Sequence, residues 1–244
     1  MKHVLSAAAA YLLCLTNSIV CTDSTIVQFV QLSSNDYPKH KMWTEDTRLV
    51  RAVERNEIAN ARWLADTFPT LLHKWTTYVG NTPVHVAKTV SMAKILVDRK
   101  ALINKAEVIT LLHSAMDRSV DPDVVALYLD EGLTPLCKNN LGLTPLMILA
   151  LRSYSYKRSE NCVKKAELLL GRLQPNQITA LFDAIDLAGG RNVFDCIEQV
   201  RQEETIPELS NIKSINALDD CLRAYAQKYN IEIITKKDRK NRQL

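Results

Sequence analysis

Gly132-Leu133-Thr134-Pro135-Leu136-Cys137-Lys138-Asn139-Asn140-Leu141-Gly142-Leu143-Thr144-Pro145-Leu146 is the stretch whose reading decides the fold. Gly132 suits the end of a helix, where the chain turns through a left-handed conformation that only glycine adopts cheaply. Gly142 suits a hairpin tip for the same reason. Thr144 then stands where a cap hydroxyl can satisfy an orphan helix N–H, and Pro145 fits the first helical turn that follows. A helix end, a hairpin and a new helix start are predicted in that order.

Outward from this stretch the Thr-to-Ala pattern recurs. It reads Thr47-Arg48-Leu49-Val50-Arg51-Ala52, Thr82-Pro83-Val84-His85-Val86-Ala87, Thr110-Leu111-Leu112-His113-Ser114-Ala115, Thr144-Pro145-Leu146-Met147-Ile148-Leu149-Ala150 and Thr179-Ala180-Leu181-Phe182-Asp183-Ala184. The threonines stand 35, 28, 34 and 35 residues apart. The alanines allow close helix packing. Second helices follow with apolar residues three and four apart: Ile58, Ala61, Trp63 and Leu64, and Val163, Ala166, Leu169 and Leu170. Val124, Val125, Leu127, Tyr128 and Leu129 make a third, opened by Asp121-Pro122. No stretch alternates with a two-residue period, so the expected fold class is all-α.

A period of about 33 residues carrying T-P-L-H-x-A resembles the ankyrin repeat. The resemblance covers residues 44–204, and Gly80-Asn81-Thr82-Pro83-Val84-His85 is its second near-consensus opening. The other three repeats are degenerate, and the Gly-His between the helices of a repeat is absent. The resemblance implies a solenoid of about five repeats in which each unit covers its neighbour and the ends need polar caps. Residues 205–235 are expected to supply the C-terminal capping helix, through Leu218, Cys221, Leu222 and Tyr225. Residues 236–244 form a basic tail, expected to be solvated and frayed.

The net charge of +4 is mild and argues against a protein built for nucleic acid, which shows a clustered basic face. Residues 1–22 have a different character. Lys2, the apolar run Val4–Leu15 and the small polar Thr16-Asn17-Ser18 follow the layout of a secretory signal, with cleavage after Ser18 or near Cys21. An uncleaved anchor or a helix capping the first repeat are the alternatives, and residues 23–43 are a leader segment. Cys14 and Cys21 would leave with the signal. Cys137, Cys162, Cys196 and Cys221 remain, and they suit either disulfides in an exported protein or buried thiols.

No H-E-x-x-H, G-x-S-x-G, P-loop or G-x-G-x-x-G occurs, and no cofactor or metal is expected. His85 and His113 stand at the family's His position, where the ring steadies a turn. Gly189-Gly190 is expected as the inter-helix turn of the fifth repeat. Asp183, Asp186 and Asp195 are expected on a solvated helix face. The chain is therefore expected to be a non-catalytic binder of a protein partner, with no small-molecule substrate and membrane contact only through an uncleaved N-terminus. The alternatives are a periplasmic or envelope protein that stabilises a partner, and a nucleic-acid or membrane-surface binder acting through the basic tail. By analogy, export with such an architecture suggests a secreted bacterial effector.

The resemblance places partner contacts on hairpin tips and first helices: Tyr78, Val79, Asn81 and Thr89, then Arg118, then Asn140, Leu141, Leu143 and Arg152. Two departures from the family spacing add aromatic residues. His73-Lys74-Trp75-Thr76-Thr77-Tyr78 replaces a tight finger, and Trp75 brings a large contact area at little entropy cost. Ser153–Asn161 is an insertion that carries Tyr154 and Tyr156 beside Lys157 and Arg158, a composition suited to a polar or acidic surface.

Overall fold

The computed structural model describes residues 47–74, 81–101, 111–155, 159–202 and 209–242. These residues are helical or irregular, with no strand among them, so the all-α class holds. The chain divides into two compact bodies, residues 1–83 and 84–244.

In the N-terminal body, α1 (Arg48–Glu54) and α2 (Ile58–Thr67) form an antiparallel pair followed by a 3-10 turn at Pro69–His73. Leu49, Val50, Ala52 and Val53 of α1 are buried together with Ala61, Leu64 and Ala65 of α2. Small side chains on both helices let the axes approach closely. Thr47 stands at the N-cap of α1, but its hydroxyl makes no capping bond.

The 3-10 turn Pro83–Val86 spans the boundary, and the C-terminal body continues with α3 (Val90–Asp98), helical residues 111–115 and α4 (Pro122–Asp130). Next come α5 (Pro145–Arg152), a 3-10 turn at Ser153–Ser155, and α6 (Ser159–Leu170). Then follow α7 (Pro175–Asp183), α8 (Val193–Gln202), α9 (Leu209–Lys228) and α10 (Lys236–Arg242). The packing runs in chain order. α3 packs on α4, α4 on α6, and α6 on α9, while α5 packs on α8. Within the pairs, α5 contacts α6 and α8 contacts α9. α5 is buried from Pro145 through Leu151, so it forms the centre of the core.

Four helices end in the same way. After α1, α3, α4 and α9 the chain passes through positive φ at Asn56 (58°), Lys100 (62°), Gly132 (87°) and Asn230 (53°). Each time the left-handed residue donates its N–H three residues back and the next residue donates five back. Gly132 N–H reaches Leu129 O at 3.0 Å and Leu133 N–H reaches Tyr128 O at 3.2 Å. Lys100 to Val97 (2.8 Å) and Ala101 to Leu96 (3.1 Å) repeat the pattern. This is the Schellman arrangement, which satisfies the orphan carbonyls of a helix end. Gly132 therefore does what the sequence predicts.

The threonine pattern holds in part. Thr144 Oγ1 accepts from Met147 N–H at 3.3 Å and caps α5. Thr179 does not open a unit. It lies inside α7, where its hydroxyl donates to Pro175 O at 3.1 Å. The cap of α7 is Gln174, in a reciprocal box with Gln177. α7 is an extra helix between α6 and the hairpin that leads into α8. Asn192 caps α8, accepting from Phe194 N–H and Asp195 N–H. α9 covers the segment expected as the capping helix and pairs with α8.

Candidate functional site

Two hairpins share one design. Asn139 N–H donates to Leu143 O at 3.0 Å, and the Asn139 carboxamide oxygen accepts from Leu141 N–H and Leu143 N–H, both at 3.0 Å. In the second hairpin Asp186 N–H donates to Arg191 O at 2.9 Å, and Asp186 Oδ1 accepts from Gly189 N–H (2.9 Å) and Arg191 N–H (3.0 Å). Each begins with a short side chain that gathers backbone N–H groups, and each has a glycine at positive φ, Gly142 (76°) and Gly190 (60°). Gly189-Gly190 thus lies at a hairpin tip that links α7 and α8, the inter-helix position expected for it, and Phe182 of α7 meets Phe194 of α8 edge to face with ring centroids 5.3 Å apart.

The two tips touch. Leu187 N–H donates to Leu141 O at 3.0 Å. A Cβ on Gly142 would stand 2.9 Å from Leu187 Cγ and 3.0 Å from Leu187 N, so glycine is required there for space as well as for conformation. Leu187 is 78% exposed and Ile185 44% exposed, beside exposed Asn140 and half-buried Leu141. The result is an apolar ridge on a backbone-braced support.

Asp186 is the electrostatic centre of the second hairpin. Burial alone would raise its carboxyl, but hydrogen bonds from Arg191 and Gly189 and the Arg191 charge hold it below the ordinary carboxylate value. Its Oδ2 accepts from Arg191 Nε at 2.9 Å. Asp186 and Asp195 are therefore not on a solvated face, since Asp186 is buried and Asp195 is largely enclosed; only Asp183 is exposed.

Elements far apart in the chain are fastened through side chains that reach backbone carbonyls. The ring nitrogen Nε2 of His113 and Leu143 O are 2.8 Å apart, which gives His113 the expected structural role. Tyr128 Oη donates to Val84 O at 2.9 Å, and Asn192 Nδ2 to Ile234 O at 2.7 Å. Lys165 is fully buried and donates to Ala115 O (2.8 Å) and Asp117 O (2.6 Å). Loss of water pushes its ammonium down to about 8, against the pull of the Asp117 carboxylate.

The basic run is not a frayed tail. Thr235 and Asp238 cap α10 reciprocally, with Thr235 N–H and Oγ–H donating to Asp238 Oδ2 at 2.9 and 2.6 Å. Lys236 N–H donates to Asp195 Oδ1 at 2.7 Å. Arg239 Nη2 donates to Gly190 O (2.7 Å) and Asp195 Oδ2 (2.8 Å), and its Nη1 to Ile234 O (2.7 Å).

Of the residues expected to contact a partner, Trp75, Tyr78, Val79 and Tyr156 lie outside the described residues. Asn140 and Arg118 are exposed, and Asn81, Leu141 and Tyr154 are half-buried. Leu143 is corrected: it is fully buried beneath its hairpin and cannot reach a partner. Thr89 has a structural use, its hydroxyl accepting from Met92 N–H at 3.4 Å to cap α3. Arg152 is half-buried and pairs with Asp117 at 3.5 Å. Ile185 and Leu187 escaped the sequence-based reading, although Asp186-x-x-x-Gly190 parallels Asn139-x-x-Gly142.

Cys137, Cys162, Cys196 and Cys221 are free thiols. Burial pushes Cys162 and Cys196 up to about 12, and Cys137 and Cys221 up to about 11. No described helix is long and apolar enough to cross a membrane. No protein-family model, curated protein or solved structure matches the chain.

Proposed function

We propose that this chain is a non-catalytic protein-interaction module, a stack of ankyrin-like helix pairs that binds a partner protein through hairpin tips and neighbouring first helices. The observation that carries this reading is the pair of tips joined through Leu187 N–H and Leu141 O, with Ile185 and Leu187 left exposed above them. Large apolar side chains on a rigid ridge cost little entropy to immobilise and are what a partner protein can cover. The chain-order packing of α3, α4, α6 and α9 supports a stacked architecture. In it, α5–α6 form the fourth unit and α8–α9 the fifth. The signal-like residues 1–22 support export, and with it a secreted effector of bacterial type.

Affinity capture tests the reading. Wild-type chain and an Ile185→Ser/Leu187→Ser variant, shown folded by circular dichroism, are exposed to extracts of the producing cell and of a host. A partner held by the wild type and recovered about tenfold less by the variant is expected, since losing two apolar anchors costs more than about 1.4 kcal/mol. Equal recovery on both would overturn the role of the tips.

A further inference from the structure

The segment after α9 is docked without a core of its own. From Ile231 to Arg242 every residue is half-buried or exposed, and α10 contains no buried position. Apolar burial therefore contributes little to its attachment, which rests on polar bonds. These run to one short stretch at the start of α8. Asn192 Nδ2 donates to Ile234 O at 2.7 Å, and Lys236 N–H donates to Asp195 Oδ1 at 2.7 Å. Arg239 Nη2 donates to Asp195 Oδ2 at 2.8 Å and to Gly190 O at 2.7 Å. The Thr235–Asp238 and Arg242–Glu232 pairs close within the segment and shape it without fastening it.

The carbonyl that Arg239 takes stands at a soft point of the backbone. Gly190 O belongs to the same peptide unit as Arg191 N–H, which donates to Asp186 Oδ1 at 3.0 Å. One edge of this unit is thus held by the hairpin and the other by the C-terminal segment. The unit follows Gly189 and Gly190, whose backbone rotates more freely than that of any residue with a Cβ. A unit there turns readily once one edge is let go. Asp195 Oδ2 is shared in the same way, between Asn192 N–H at 3.0 Å and Arg239.

We infer that residues 231–242 are a releasable strap that sets the rigidity of the hairpin Asp186–Arg191. Docked, the strap fixes the peptide unit after Gly190. Lifted, it lets that unit turn and loosens the tip whose Leu187 N–H reaches Leu141 O. Lifting is an inexpensive step, because water can replace each bond that the strap gives up. Elements held by accessible polar bonds, with no buried apolar face, open separately from the core of a fold. A rigid tip has less freedom to lose on binding, so the docked strap favours a partner on the ridge. That last consequence rests on the binding role proposed above for Ile185 and Leu187; the strap and its hold on the hairpin do not.

Amide hydrogen exchange of the full chain, read residue by residue by nuclear magnetic resonance, tests the inference. Two variants accompany the wild type. Arg239→Gln removes the guanidinium, and Lys236→Pro removes only an N–H, at a first-turn position that proline suits. Both leave Asp186, Arg191 and the Asn192 cap of α8 in place. In the wild type the α10 amides are expected to exchange at least about a hundredfold faster than those of α5. In both variants the Arg191 and Asn192 amides are expected to exchange about tenfold faster, with α5 unchanged. The rise in Lys236→Pro is the sharper result, since that variant keeps the guanidinium that holds Gly190 O. Strap amides that exchange no faster than α5 would overturn the inference, because the segment would then open only with the whole fold. Arg191 and Asn192 amides left unchanged by either variant would overturn it too, because the strap would then hold nothing in place. Capture with Ile185→Ser/Leu187→Ser bears on the ridge alone, so a ridge that binds nothing leaves the exchange result standing.

Discussion

Gly142→Ala is expected to cost markedly more stability than Gly132→Ala, and the comparison isolates the contact between the hairpin tips. Both glycines hold positive φ, 76° and 87°, so both substitutions incur the left-handed penalty of about 1 kcal/mol for a residue with a Cβ. Their surroundings differ. A Cβ on Gly132 meets nothing within 4 Å, whereas one on Gly142 meets Leu187 Cγ at 2.9 Å and Leu187 N at 3.0 Å. The leucine side chain is exposed and can swing aside, but the backbone nitrogen cannot move without stretching its hydrogen bond to Leu141 O. Losing that bond adds about 1 kcal/mol, and local strain adds about as much again. Gly142→Ala should thus cost about 2–3 kcal/mol and Gly132→Ala about 1 kcal/mol. Urea unfolding followed by circular dichroism measures both, the shift appearing in the midpoint at constant slope. Equal costs would mean that the tips do not press on each other, and the ridge of Leu141, Ile185 and Leu187 would lose its foundation.

Lys100→Gly should stabilise the chain by about 1 kcal/mol, because Lys100 holds a φ of 62° that glycine adopts freely; thermal unfolding would register a higher midpoint. Lys165 predicts an alkaline effect. Its folded value of about 8 lies below the ordinary 10.5, so between these pH values the unfolded chain binds the extra proton and stability rises with pH. Relative to Lys165→Met, the wild type should therefore gain up to about 3 kcal/mol as pH passes through that window, read from denaturant midpoints of both proteins. A gap that stays constant with pH would show that the ammonium is not held in a desolvated site.

The features legible in the sequence are those set by local chemistry. Gly132 and Gly142 announced their conformations because positive φ costs glycine least, and Asp121-Pro122 and Thr144-Pro145 announced helix starts because cap and proline are adjacent. The helix start expected at Thr179 was misplaced because Thr179 lies at the recurring interval, whereas it falls inside α7 and Asn192 caps the helix that follows. Gln174 is an uncommon cap, so nothing at α7's start drew attention. Trp63 was grouped with core residues because it is apolar and close to Ala61 and Leu64 in the chain, although at about 100° per residue it falls on the opposite side of α2. The docking of α10 was invisible for another reason: Asp195 and Gly190 lie more than forty residues from Arg239, and a basic run carries no mark of the carbonyls it will meet. Leu143 shows the limit of transferring a contact position, since its carbonyl receives the His113 ring while its side chain is buried.

The Asp195 carboxylate serves three parts of the chain at once. It accepts from Asn192 N–H at 3.0 Å, steadying the start of its own helix, and from Lys236 N–H and Arg239, which arrive from the far end of the sequence. During synthesis Asp195 leaves the ribosome well before residues 236–242 do, since chains emerge from the N-terminal side. The turn at Gly190 must therefore hold its shape for a time with Asn192 as Asp195's local partner and without the late clamp. A nascent chain stalled short of Lys236 would carry this helix start with one hand still open.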